Sequence, residues 1–340
     1  MASQIFQRGY GMHISGMKIP EVRFVGGPSA DLTIACVANC HADDAIRFLC
    51  AHIGVGASKI LLYDDGIRRV EKIAQLPAPI RRRVEIIPVE SVIPDRSQFE
   101  NFNDVQRILY NIAYAASKTS WFAAIDVDEI IAPAGRDLRT QLQSVPSGLD
   151  MITLAPAEMV WPAGTRRYYA AWSAHAVRLR CVISQKDRQD TLLSRRGFTA
   201  HAMGKSIVRT NLKVNITVHG AQPVDGPQLV RDEISALLFH FDAISFPHWF
   251  DKARGSQTYN KGAKRSDRRT RLLVSAAMSE AASEAELFFD RHFCLTPSQI
   301  RNLLARDAVL ALGLGWRLLF RYPVMFHRLS GIVRIFSKAR

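Results

Sequence analysis

The sequence predicts an α/β fold, a mixed sheet with a helical extension at the carboxyl end, and three observations carry that reading. Short apolar runs alternate with amphipathic helical patterns between residues 30 and 125, the order of right-handed βαβ units with parallel strands. Each of three such runs stops at a polar or acidic residue: Asn39, Asp64 and Asp126. The last, WFAAIDVDEIIAP, carries the carboxylates Asp126, Asp128 and Glu129 within four residues. Such crowding is unfavourable unless positive charge or water lies between the groups.

The elements follow in order. Leu32, Ile34, Ala35, Cys36 and Val37 make a nearly continuous apolar run that ends at Asn39, as a buried strand does. Ile46, Leu49, Cys50 and Ile53 then fall at helical spacing, with Asp43 or Asp44 as cap and Gly54 or Gly56 as stop. KILLYDDG is a second strand, and RRVEIIPVES a third, whose Pro88 marks an edge or an end. Val105, Leu109, Ile112 and Ala116 form the apolar stripe of a helix from about Asn103 to Lys118. Trp121 to Ile125 is then a fourth strand, with its carboxylates at the carboxyl end, where ligands of such sheets bind.

From about Leu149 to His240 the pattern changes to short β-like runs separated by turn residues. DKARGSQTYNKGAKRSDRRTR is a basic, glycine-punctuated loop or anion clamp, and Thr296, Pro297 and Gln299 open a helix over LTPSQIRNLLARDAVLALG with a capping box. The expected organisation is an extension over 1–29 and a catalytic domain over 30–250, followed by the basic loop and helices over 251–340. Within the domain, 30–135 forms one half and 136–250 the other.

Composition narrows the function classes. The 340 residues are 48% hydrophobic and carry a formal charge of +14, which points to an anionic partner. The five cysteines, Cys36, Cys40, Cys50, Cys181 and Cys294, are odd in number and scattered. They form no disulfide framework and suit a reducing compartment, so a cytoplasmic location is expected. Cys36 and Cys40 have no second pair to complete a zinc site. An amino-terminal signal and a bilayer-spanning stretch are not expected.

In an extended chain, residues two apart point to the same side about 7 Å apart, so Asp126 and Asp128 are expected to converge on one ligand while Val127 packs behind. Magnesium or manganese, held by one or two carboxylates and otherwise by phosphate oxygens and water, suits that arrangement. The motif alone also fits an acidic loop; its place at the end of a fourth strand, beside two earlier strands with polar ends, favours a nucleotide-diphosphate site.

Two stretches, TIACVANCHADDAIRFLCAHIGVGASKILLYDDG and VQRILYNIAYAASKTSWFAAIDVDEIIAP, resemble the GT-A glycosyltransferases of the family 2-like group, which includes relatives of family 92. The matching positions are Asn39, Gly54 with Val55, Tyr63 with Asp64, Gln106 with Asn111, and Asp126, Asp128 and Glu129. The resemblance continues through MVWPAGTRRYY, GKSIVR, VHG and HFDAISFPHWFDKARG and covers about residues 30 to 262. Cys40 stands where a glutamate is usual, and DDGIRR replaces Asp-Asn-x-Ser-x-Asp, which alters the expected donor contacts of that loop.

The resemblance implies a GT-A, Rossmann-like fold and transfer of a sugar, with inversion, from a nucleotide-diphosphate donor, expected to be a UDP-sugar. A glycan or lipid-linked hydroxyl is the expected acceptor, and Mn2+ or Mg2+ the expected cofactor. Asp64 and Asn39 belong near the nucleoside, Asp126 near ribose and metal, and Asp128 is the main metal ligand, with Gln106 facing the donor. His240 is the candidate third ligand and His219 a weaker one, each with a hydrogen-bonded structural histidine as the alternative. Lys205, Lys252 and Arg254 are candidates to neutralise the leaving diphosphate. Glu158, Asp242 and Glu129 are candidates for the base that takes the acceptor proton, and Glu158 is chosen because it precedes Trp161 on the acceptor side.

The carboxyl-terminal WRLLFRYPVMFHRLSGIVRIFSKAR is basic and amphipathic, suited either to an anionic membrane surface or to packing on the domain. Nucleic acid is not an expected partner. The rival readings are a metal-dependent nucleotidyltransferase, which lacks a glycine-rich phosphate loop here, and a degenerate basic protein that binds membrane or nucleic acid.

Overall fold

A computed structural model of the chain describes residues 30–99, 101–133, 138–162, 176–179, 198, 203–241, 246–247, 249–250, 282–305 and 309–311. The residues Cys181, Asp242, Lys252, Arg254, the basic loop of 251–271 and the carboxyl-terminal stretch 316–340 lie outside them.

Strand β1, Leu32–Ala38, is buried along its whole length because it is covered on both faces. Leu32, Ile34, Cys36 and Ala38 pack on the side of helix α1, Ala42–Gly54, while Ala35 and Val37 pack on the side of helix α2, Phe102–Ala116. This period of two is the reason a near-continuous apolar run is needed. β1 pairs in parallel with β2, Lys59–Asp64, and with β4, Trp121–Ala124. β3, Val84–Pro88, pairs among the described strands only with β2 and is largely exposed, the edge position that Pro88 indicates.

Both helices depart from the sequence reading in detail. His41, not an aspartate, caps α1, its Nδ1 accepting from the Asp43 N–H at 3.4 Å; Asp43 and Asp44 lie in the first turn, where the helix dipole favours them. The helix stops at Gly54, and Gly56 follows in the left-handed region with φ of 115°. In α2 the buried face is Val105, Gln106, Leu109, Tyr110, Asn111, Ala113 and Tyr114, whereas Ile112 and Ala116 are half-buried. The face is rotated because Gln106, Tyr110 and Asn111, polar in the sequence, have partners inside.

After β4 come β5, Glu129–Pro133, helix α3, Leu138–Gln143, and the long β6, Met151–Pro162. β7, Ala176–Arg178, β8, Lys205–Arg209, the hairpin of β9, Val214–Ile216, with β10, Ala221–Pro223, and β11, Arg231–His240, complete the second half. Helix α4, Ala282–Phe293, β12, Cys294–Leu295, helix α5, Pro297–Leu304, and β13, Val309–Ala311, follow. The Thr296–Gln299 capping box is present, but the expected helix ends at Leu304, and Val309–Ala311 instead pairs with β7.

The strands form one mixed sheet in the order β3-β2-β1-β4-β8-β6. β8 runs antiparallel to both its neighbours, and β6 also takes β7 along one edge and β11 along the other, with β5 beyond β11. β4 and β5 are joined by only residues 125–128, although β8, β6 and β11 lie between them in hydrogen-bond order. So short a link is possible only because the sheet curls, which sets residues 126–129 where its two arms meet. Among the described residues, no helix is long and apolar enough to cross a membrane.

Candidate active site

The link between β4 and β5 is a closed turn. The Glu129 N–H donates to the Asp126 carbonyl at 2.9 Å, and the Asp126 N–H donates to Glu129 Oε2 at 3.1 Å. The extended geometry expected for the acid-x-acid motif is therefore not the one found, because the chain must reverse to join β11. Val127 packs against the core.

Asp126 is held from two sides. Its Oδ2 accepts from Lys205 Nζ at 2.7 Å; its Oδ1 accepts from Gln106 Nε2 at 3.1 Å and from the Tyr110 hydroxyl at 3.3 Å. Gln106 and Tyr110 are four residues apart on one face of α2, so a single helix surface delivers both donors. Lys205, at the start of β8, is 1% exposed; it also donates to the Val218 carbonyl at 2.9 Å and lies 3.5 Å from Glu129 Oε2. Burial acts to lower the Lys205 pKa, but Asp126 and Glu129 more than offset it and hold the ammonium well above its ordinary range. Glu129 is pushed up to about 7 by burial, with Asp126 and Asp128 adding to the effect and Lys205 and His240 opposing it.

Asp128 is close to a histidine. Its Oδ2 lies 3.7 Å from His240 Nε2, and both side chains are about one-sixth exposed, at 16% and 15%. The Phe241 N–H donates to the Asp128 carbonyl at 2.8 Å and fixes the end of β11 against the turn. His240 is opposite Glu129 in β5 and opposite Glu158 in β6, so the three form one row across the sheet. Glu158 is buried there, not at an open sheet edge.

The remaining expected residues divide. Asn39 is exposed at the end of β1, and Asp64 ends β2, where its Oδ1 accepts from the N–H groups of Gly66 at 2.9 Å and Ile67 at 2.6 Å. Gly66 has φ of 112°, and a Cβ there would lie 3.3 Å from Asn39 Nδ2, so the altered loop closes onto Asn39. Asp65 is buried and paired with Arg96, while Arg68 is tied to α1 through its backbone. DDGIRR is thus a bonded loop in its own right.

Asn111 is not at the site: its side chain both donates to and accepts from the backbone of Ile216, 2.8 Å each way, and anchors β9 to α2. His219 is half-buried, with Nδ1 3.3 Å from the Gly204 carbonyl and its pKa lowered by burial and then by Lys205. Lys205 does not meet the geometry of a diphosphate ligand, since its ammonium is enclosed by Asp126, Glu129 and Val218. Tyr110 was missed from the sequence; its only signal is the i, i+4 relation to Gln106.

Among the described residues no group of three or more histidine, cysteine or acidic side chains converges as a metal site. Asp128 and His240 supply two donors, a set that fits a hard divalent cation completing its shell with phosphate oxygens and water.

No protein-family model matches the chain, and no curated protein matches it. Solved structures similar to it include the galactosyltransferase LgtC with donor and acceptor sugar analogues, at 10% identity over 53% of this chain and 58% of that one, with a TM-score of 0.25. HddC from Yersinia pseudotuberculosis is 9% identical over 62% of this chain and 93% of its own, with a TM-score of 0.32. The mannosyltransferase PcManGT from Pyrobaculum calidifontis, in complex with GDP-Man and Mn2+, is 10% identical over 93% and 91%, with a TM-score of 0.30. The chain spans 46% and 58% of the length of the two LgtC structures it matches. Likenesses this distant carry nothing about activity.

Proposed function

We propose that the chain is a glycosyltransferase that moves a sugar from a nucleotide-diphosphate donor, with UDP as the nucleotide, to a hydroxyl of a glycan or lipid-linked acceptor. The observation that carries this is the Asp128–His240 pair at the carboxyl end of the fourth parallel strand, in the crevice where Asn39 and Asp64 end β1 and β2. Asp128 and His240 would hold Mn2+ or Mg2+, which neutralises charge on the departing diphosphate when bound. Asp126, fixed as an acceptor by Lys205, receives a ribose hydroxyl, while Asn39 and Asp64 contact the nucleoside. Lys252 and Arg254 neutralise the diphosphate from the basic loop.

Glu158 takes the proton of the attacking acceptor hydroxyl, and His240 beside it in the next strand keeps the carboxylate oriented. Attack from the face opposite the leaving group gives inversion. The basic carboxyl-terminal stretch places the enzyme at the cytoplasmic face of an anionic membrane, which suits a lipid-linked acceptor.

Calorimetric titration of UDP and GDP, with and without Mn2+, on the native chain and on Asp128→Ala tests the reading. Metal-dependent binding of UDP that is lost in the variant supports it. Metal-independent binding that survives Asp128→Ala, or no binding of either nucleotide, sinks it.

A further inference from the structure

Residues 66–83 carry the chain from the end of β2 back to the start of β3, on the side of the sheet that α1 covers. The short helices Val70–Gln75 and Ala78–Arg81 make the crossing and touch α1, and Ile67, Ile73, Leu76 and Ile80 are buried in the same core. Because β2 and β3 are parallel, this strap has to run the length of a strand, about 20 Å. It holds six basic residues, Arg68, Arg69, Lys72, Arg81, Arg82 and Arg83, against one acid, Glu71. All but the half-buried Lys72 are exposed.

The five arginines are uncompensated. Arg47, Lys59, Lys72, Arg96 and Arg107 of the same half each face a carboxylate, whereas Arg68, Arg69, Arg81, Arg82 and Arg83 have no ion pair among the described residues. Like charges repel within the screening length of about 8 Å, so an anionic surface stabilises such a strap. Arg69 also has φ of 60° and ψ of 42°, the one non-glycine residue at positive φ in the described chain. Glycine or asparagine would adopt that conformation at lower cost, so the turn itself does not call for an arginine.

Apolar surface is interleaved with the charge. Ala74, Ala78 and Pro79 are exposed, and Ile86 stands two residues beyond Val84 on the α1 side of β3. Ile86 is the one large hydrophobic side chain left exposed among the described residues of 30–133, at 38%. We propose that the strap is a docking surface for an anionic lipid membrane, in which the arginines meet phosphate headgroups while Pro79 and Ile86 enter the interface between them. A nucleic acid would meet the same charges with fewer means of holding it. No aromatic side chain stands between Tyr63 and Phe99 to stack on bases, and helices of six and four residues are too short to fill a major groove.

The surface depends neither on the proposed catalysis nor on the basic carboxyl-terminal stretch. Arg68 and Arg69 closely follow Asp64, so docking sets the crevice beside the headgroups, within reach of a lipid-linked acceptor. That consequence, unlike the surface, rests on the reading proposed above.

Co-sedimentation of the full chain with phosphatidylcholine vesicles, with and without phosphatidylglycerol, tests the surface. The native chain should bind the anionic vesicles and not the neutral ones. The triple variant Arg81→Ser, Arg82→Ser, Arg83→Ser should bind them about 100-fold more weakly, about fivefold for each charge, and Ile86→Ser about threefold more weakly. Unchanged urea midpoints in both variants show that docking, not folding, is lost. Binding to neutral vesicles as strong as to anionic ones, or native binding by the triple variant, overturns the proposal. So does loss of binding confined to Arg317→Ser, Arg321→Ser, Arg328→Ser, which makes the carboxyl-terminal stretch the anchor. Titration with duplex DNA at the same salt decides the rival partner: DNA binding that the triple variant loses, with no vesicle binding by the native chain, assigns the strap to nucleic acid and sinks the membrane. A chain that docks through the strap and binds no UDP upholds the surface and refutes only the catalytic reading.

Discussion

Two histidines lie on opposite sides of β5 and illustrate how one residue type serves either architecture or chemistry. His52, on α1, is fully buried; its Nδ1 donates to the Phe48 carbonyl at 2.9 Å and its Nε2 accepts from the Ile131 N–H at 3.2 Å. Among the described strands β5 pairs with β11 alone, and on its other side the imidazole satisfies the Ile131 backbone donor. His240, on β11, is partly exposed and directs Nε2 at a carboxylate. Satisfied on both nitrogens by backbone, a histidine is inert; aimed at an acid on the rim of a crevice, it is a ligand or a proton carrier.

The largest expected effect concerns His52 and acid. Burial pushes its pKa down to about 4, against an ordinary value of 6.5. Between those values the unfolded chain binds the proton and the folded chain does not, so stability falls as pH drops from about 6.5 to about 4 and no further below it. The full loss is about 3 kcal/mol. Urea midpoints across that range should show the fall in the native chain, and a shallower one in His52→Leu; parallel curves would break the assignment.

Nearly as large, His240→Ala should weaken Mn2+-dependent UDP binding about 100-fold while leaving the urea midpoint almost unmoved. A variant that loses stability and keeps binding would reverse the roles of the two histidines.

His52→Leu itself should cost about 2 kcal/mol near neutral pH, since the buried Ile131 N–H loses its acceptor, with any UDP affinity unchanged in the folded fraction.

A third histidine sharpens the scale. His41 caps α1 through one long contact of 3.4 Å and is partly exposed, so His41→Ala should lower stability by only about 0.5 kcal/mol, measurable by thermal unfolding.

The first half of the fold was legible because its causes are local. β1 is a continuous apolar run since it is buried on both faces, α2 opens with Asn101 accepting from the Asp104 N–H at 3.1 Å, and Pro88 marks the edge strand. The errors arose where distant contacts overrode local pattern. Gln106, expected to face the donor, and Asn111, matched to the family pattern, are both buried against groups far along the chain, one against Asp126 and the other against Ile216. Val309–Ala311 read as helix and pairs as a strand, because an open edge of β7 was available to it.

By itself the sequence determined where the carboxylates fall: at the end of the fourth strand, beside Asn39 and Asp64, because strand and helix periods and the polar ends of strands are encoded in neighbouring residues. Only the tertiary structure decided what each carboxylate meets. The reversal at residues 126–129, the enclosure of Lys205 and the alignment of Glu129, His240 and Glu158 all depend on strands brought together from far along the chain. Coulombic and hydrogen-bond energies fall off over a few ångströms in space and are indifferent to separation in sequence, so the chemistry of Asp126 and Asp128 diverges although only Val127 stands between them.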